Sequence, residues 1–263
     1  MTGIEQISLI DKLRFGVFRS RNELGKRAAE GVTEKIKMLL KSRNELRMIF
    51  ASAPSQIELL ENLSVGSDIN WSRITAFHMD EYIGLTKDAP QGFGNFLRKY
   101  LFEGLGFKQV HYIDPEAADP EAECRRYADL IEAAPIDIIC MGIGENGHIA
   151  FNDPPVADFA DPVSVKVVFL DKECRQQQVN DGCFRSLGNV PLKAITITIP
   201  VFMAAASLFV VVPGPTKAAA VSRTLLGPIT SSCPASVIRM HPDAMLYLDA
   251  DSAGLYQRNT VSS

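Results

Sequence analysis

The chain has 263 residues, 46% of them hydrophobic and 22% charged, with a net charge of −4 at neutral pH. That composition supplies a globular core and lacks the basic surplus that a nucleic-acid partner requires. Five cysteines (Cys124, Cys140, Cys174, Cys183 and Cys233) form no CxxC pair, which argues against a disulfide framework or a zinc motif and for a reducing, cytoplasmic setting.

The first thirteen residues, MTGIEQISLIDKL, have no basic region followed by an apolar run, so no signal peptide is expected. Ser20-Arg21-Asn22-Glu23 reads as a capping box. Leu24, Ala28, Val32, Ile36 and Leu39 then trace the apolar face of a helix. A strand over 46–53 and a short helix over 55–63 follow. A strand over 74–78 runs into the polar pair Asp80-Glu81. Phe93, Phe96, Leu97, Tyr100 and Leu101 mark another helix. Next come a strand over 110–113, a helix over 120–133, and an apolar strand over 138–141 that ends in a glycine-rich turn. The remaining elements are a strand over 165–170, a polar helix around Arg175, strands over 194–199 and 207–212, helices over 217–226 and near Ser236, and a strand over 245–248.

Residues 194–216 carry no charge and are long enough to span a bilayer. However, Ile195, Ile197 and Ile199 alternate with Thr196 and Thr198, and Pro200 interrupts the run. Strand, short helix, strand is therefore the expected reading, without a membrane partner. The repeated alternation predicts an α/β fold. It is a three-layer, mostly parallel, doubly wound sheet of Rossmann-like type with helices on both faces, in one domain over 1–263. Ligands of such sheets bind beyond the carboxyl ends of the strands.

Three motifs fall at such ends. Asp80 and Glu81 follow the strand over 74–78 and have the residue types for proton transfer, although a solvated loop would also use them. Gly142, Gly144 and Gly147 satisfy the spacing of a dinucleotide fingerprint, but Pro154 and Pro155 interrupt the helix that such a site needs. The glycines can instead shape the backbone around His148, with Asp153 five residues on. In Pro213-Gly214-Pro215-Thr216-Lys217 a lysine opens a helix, where the macrodipole disfavours a cation unless an anion binds between them. Lys217 and Arg175 are thus candidate anion clamps, and ordinary surface positions would explain both equally.

Taken together, these motifs resemble the glucosamine-6-phosphate deaminase/isomerase family, with a weaker likeness to 6-phosphogluconolactonases. MDEYIGL at 79–85 and GIGENGHIAFNDP at 142–154 are similar to two long segments of that family, in the same order. The resemblance extends over about residues 46–250 and takes in His241-Pro242. It implies an enzyme that uses no metal or cofactor and acts on a phosphorylated amino sugar, with homo-oligomers common among relatives. A histidine opens the sugar ring, an aspartate moves a proton between C2 and C1, and the C2 amine leaves as ammonia. By position the resemblance makes Asp80 the enolisation base, His148 the ring-opening residue and Asp153 its carboxylate support. Glu81 and Gly144 fall in the substrate-binding segments, and Lys217 and Arg175 in the phosphate clamp, Arg175 only with a one-residue shift.

Three positions depart from the family pattern. Asn146 stands where an aspartate is usual, so it orients the ring without adding charge. Asp153 replaces a longer glutamate. The glycine- and threonine-rich phosphate loop is replaced by Ala51-Ser52-Ala53-Pro54-Ser55-Gln56, in which Ser52 and Ser55 are the candidate phosphate ligands. Residues 156–166 lack the basic cluster that some relatives use for an activating sugar phosphate, so no activation of that kind is expected. A lactonase-type hydrolase and a weakly catalytic sugar-phosphate sensor are the alternative readings.

Overall fold

The computed structural model describes residues 7–65 and 68–261. Residues 1–6, part of the signal-peptide reading, lie outside the described residues. Among the described residues the strands are β1 (Ser8–Ile10), β2 (Leu13–Phe18), β3 (Leu46–Phe50), β4 (Ile74–His78), β5 (Asp80–Tyr82), β6 (Gln109–His111), β7 (Ile138–Met141), β8 (Val165–Phe169), β9 (Lys193–Ile197), β10 (Ser207–Val212) and β11 (Ala244–Asp249). The helices are α1 (Arg21–Leu40), α2 (Ile57–Ser64), α3 (Phe93–Leu97), α4 (Pro120–Glu132), α5 (Lys172–Asn180), α6 (Ile199–Ala204), α7 (Ala218–Leu226) and α8 (Ala250–Val261).

Eight strands form one sheet in the order β1-β2-β11-β10-β7-β3-β4-β6. All neighbours run parallel except the terminal hairpin β1-β2. The chain winds outward from β3 through β4 to β6, then returns to place β7 on the other side of β3 and continues through β10 to β11. That reversal between β3 and β7 is the crevice where such sheets bind ligands.

Alternation along the central strands explains why they read as unbroken apolar runs. Met48, Phe50, Cys140, Phe209 and Val211 join one core with Leu24, Val32, Ile36, Leu59 and Leu63 of α1 and α2. Ile49, Ile139, Met141, Leu208 and Val210 point the other way, into a core shared with Tyr127 of α4, Val221 of α7 and Ala253 of α8. Both faces are covered, so both alternate sets are apolar.

The strands β8 and β9 do not join this sheet. They form a separate three-stranded antiparallel sheet, β5-β9-β8, with Asp80 opposite Thr196. Val165, Ile195 and Ile197 pack its inner side onto the second core. The uncharged stretch resolves into β9, α6 and β10, and among the described residues no helix is long and apolar enough to cross a membrane. At the start of α1, the Ser20 hydroxyl accepts the Glu23 amide, but the Glu23 carboxylate accepts from Arg19 rather than Ser20. The capping box is thus only half formed. The helix expected around 93–101 is regular only to Leu97 and continues as one wider π turn over Arg98–Phe102. Near Ser236 the chain forms a 3₁₀ segment, Pro234–Met240, instead of an α-helix.

Candidate active site

A cleft of about 230 Å³ opens at the carboxyl ends of β4, β3, β7 and β10. Each strand contributes the segment that follows it: Asp80 after β4, Ser52 to Gln56 after β3, Gly142 to His148 after β7, and Pro213 to Lys217 after β10. Asp80 and His148, 68 positions apart in the chain by their numbers, therefore face one space, with Lys217 on its wall.

The glycine-rich turn is built around His148. Gly144 donates its amide to the His148 carbonyl at 2.9 Å, and Gly147 donates to the Gly144 carbonyl at 3.0 Å. Gly147 has φ +91°, and a side chain there would strain the turn. At Gly144 a Cβ would overlap the imidazole itself, so the ring lies flat against bare backbone. No helix follows Gly147, which removes the dinucleotide-type use of the three glycines.

His148 Nδ1 lies 2.9 Å from Asp153 Oδ1, close but poorly aligned for a hydrogen bond. Asn146 ties the pair together. Its amide nitrogen donates to Asp153 Oδ1 at 2.8 Å, and its oxygen accepts the His148 backbone N–H at 2.9 Å. Burial pushes the Asp153 carboxyl up, but His148 and the hydrogen bonds outweigh it and leave its pKa below the ordinary value. Asp153 is therefore ionised and holds the ring with Nδ1 toward it, which leaves Nε2 for the cleft.

Asp80 presents the opposite electrostatics. Among the described residues nothing donates a hydrogen bond to its buried carboxyl. Burial first, then Glu81, then Asp153 push its pKa well above the ordinary value. Its backbone is fixed by pairing with β9 and by His78, whose Nδ1 lies 2.8 Å from the Asp80 carbonyl. The two carboxylates near His148 thus have separated proton affinities, the usual arrangement for dividing acid and base work.

Glu81 does not line this cleft. Its carboxylate accepts the amides of Tyr82, Phe93 and Gly94 at 2.9, 3.0 and 2.9 Å, which locks the strand end that carries Asp80. Ser52 and Ser55 both line the cleft, and the Ser52 hydroxyl donates to the Phe93 carbonyl. Lys217 is 6% exposed, its backbone N–H donates to the Gly214 carbonyl, and its ammonium has no hydrogen bond or ion pair among the described residues. Burial lowers its pKa, and Asp181 and Glu145 act in the opposite sense. An ammonium on the cleft wall with no protein partner is placed to receive an anion.

The structure places Arg175 elsewhere. Its guanidinium donates to the carbonyls of Leu187 and Val190, outside the cleft. Gln177, Gln178 and Asp181 line the cleft instead. On a helix, 177, 178 and 181 share a face; 175 sits about 200° from 177 but only about 60° from 178, at the edge of that face. Only the contacts of the guanidinium with Leu187 and Val190 separate the arginine from the cleft. Arg21, at the start of α1, also reaches the cleft edge, held by Glu58 and the Pro54 carbonyl. Gln56 anchors the substituted loop by donating to Val211 across the crevice at 3.0 Å.

The chain is 32% identical over 239 residues to a glucosamine-6-phosphate deaminase of Lactobacillus delbrueckii subsp. bulgaricus, covering 91% of this chain and 97% of the relative. It is 36% identical over 212 residues to the Listeria innocua protein of the same name, covering 81% and 87%. The solved structure of a monomeric glucosamine-6-phosphate deaminase superposes with a TM-score of 0.84 at 28% identity, covering 93% of this chain and 99% of that one. A 6-phosphogluconolactonase from Thermotoga maritima shares the fold, with a TM-score of 0.74 at 18% identity over 90% of this chain and all of that one. With residues 19–247 matching the family described as glucosamine-6-phosphate isomerases/6-phosphogluconolactonase, the chain belongs to that family.

Proposed function

We propose that this chain, acting as a single catalytic domain in the cytoplasm, converts an amino-sugar 6-phosphate and water to the ketose 6-phosphate and ammonia. Glucosamine 6-phosphate or its galactosamine epimer is the substrate. The observation that carries this reading is the placement of Asp80 and His148 on one cleft with the unpaired Lys217 ammonium in its wall.

In this reading His148 takes the anomeric hydroxyl proton on Nε2 and returns it to the ring oxygen, which opens the ring. Asp153 and Asn146 fix the imidazole for that exchange. Asp80 removes the C2 proton and delivers it to C1, so that the C2–N bond becomes an imine. Water adds to the imine carbon, ammonia departs, and the C2 carbonyl of the ketose remains. One carboxylate poised over adjacent carbons serves both transfers. Lys217, Ser52 and Ser55 hold the phosphoryl end, so remote binding energy orients C1 and C2.

The Asp80–His148 pairing favours proton shuttling over lactone hydrolysis. The test is a panel of amino-sugar phosphates with purified full chain, read by ammonia release and ketose phosphate formation. Turnover on at least one supports the reading. Silence across the panel, or hydrolysis of 6-phosphogluconolactone in its place, overturns it.

A further inference from the structure

On the Nδ1 side of His148, three potential ligand atoms converge. His148, Asp153 and Cys174 each offer one ligand atom, and the three lie within 4.8 Å of one another. All three residues are buried, at 8%, 2% and 1% exposure. His148 Nδ1 and Asp153 Oδ2 are shielded from solvent and, among the described residues, meet only each other's residue and the Cys174 thiol, in poorly aligned contacts. Asn146 occupies Oδ1 of the carboxylate, and the Cys174 thiol lies against the same carboxylate. Buried polar atoms with poorly aligned partners are uncommon in native proteins and mark places where a ligand can improve the contacts.

An imidazole nitrogen, a carboxylate oxygen and a thiolate sulfur form a donor set that suits zinc-class ions, whereas magnesium and calcium take all-oxygen sets. Tetrahedral coordination at zinc bond lengths puts such donors roughly 3.3–3.8 Å apart, inside the 4.8 Å span of this group. The spacing His-x₄-Asp-x₂₀-Cys contains no CxxC; the fold alone brings the sulfur to the imidazole.

We propose that His148, Asp153 and Cys174 form a three-ligand inhibitory site for a zinc-class divalent ion. Binding forms the metal–sulfur bond and releases the thiol proton to solvent. Metal on Nδ1 drives the ring proton to Nε2, so the cleft-facing nitrogen becomes a donor and can no longer accept a proton. The inhibition rests on the role given to His148 in ring opening, but the binding does not.

The experiment uses the full chain stripped with a chelator and titrated with Co²⁺, followed by absorption spectroscopy. One Co²⁺ per chain with a thiolate-to-cobalt charge-transfer band, displaced by Zn²⁺, is expected. Cys174→Ser and Cys174→Ala both lose the band and weaken Zn²⁺ at least about tenfold in chelator competition. If neither folds, His148→Gln decides the matter, since it keeps every cysteine and must weaken Zn²⁺ to the same degree. A wild-type chain with no band at one equivalent, or a band that survives in Cys174→Ser, overturns the site. None of these measurements depends on turnover, so failure of the site and failure of the proposed reaction are separable.

Discussion

Asn146 and Asp153 form an amide–carboxylate pair, joined at 2.8 Å, that carries a single negative charge behind His148. An aspartate in place of Asn146 would put two carboxylates in that contact, where one must take up a proton. Asn146→Asp is therefore expected to lower kcat/KM about tenfold or more near pH 7 and to shift the acid limb of its pH profile upward. A carboxyl whose pKa is raised by folding binds more protons in the folded state, so raising the pH from 5 to 8 should destabilise this variant more than wild type. Paired kinetic and urea-denaturation series at those pH values check both. A gain of activity would sink this account of the pair.

Asp80 should control the acid limb in the wild-type enzyme. Its buried carboxyl titrates above the ordinary range of about 4, and activity should fall as pH drops through that raised pKa. Asp80→Asn should reduce kcat by about 10²–10⁴ and abolish exchange of the C2 proton with deuterium from solvent, with substrate still bound. Glu81→Gln removes the neighbouring charge and should move the acid limb downward, while one of the three amides now held by Glu81 loses its acceptor. Exchange by Asp80→Asn at the wild-type rate would remove Asp80 from the chemistry.

The parallel sheet was legible because β3, β7 and β10 are buried on both faces and read as apolar runs. The antiparallel sheet was not, because β8 and β9 have the same local pattern and only tertiary pairing with Asp80–Tyr82 separates them. The short terminal pair β1-β2 leaves too little periodicity to identify from sequence. Asp80, His148 and Lys217 follow glycine-rich or strand-end signals and were readable as candidates. Arg21 and Gln56 reach the cleft from positions whose local sequence marks only a helix start and a loop.

Lys217 and Arg175 should respond differently to truncation. Lys217→Ala removes the unpaired buried ammonium and should raise KM for a phosphorylated substrate at least about tenfold with a smaller change in kcat. Arg175→Ala breaks two carbonyl contacts that hold the Leu187–Val190 segment, so it should lower thermal stability and leave KM near wild type. Steady-state kinetics with thermal melts on both variants make the comparison. An unchanged KM in Lys217→Ala would refute its anchoring role.

His78 supplies a pH signature of stability that is independent of turnover. It is fully buried, accepts the Ile113 amide on Nε2 at 2.9 Å, and has Nδ1 2.8 Å from the Asp80 carbonyl. Those partners require the neutral ring with its proton on Nδ1. Burial lowers its pKa from 6.5 to about 4, opposed only in part by the Asp80 carbonyl. The unfolded chain therefore takes up a proton below pH 6.5 that the folded chain refuses until about pH 4, so stability falls as pH drops through that window. The full difference is roughly 3 kcal/mol. His78→Asn removes the titrating group, so the variant should be less stable than wild type at pH 7.5 yet lose less on acidification to pH 4.5. Urea midpoints for both chains at the two pH values measure this. Equal losses in the two chains would show that His78 does not carry the acid sensitivity.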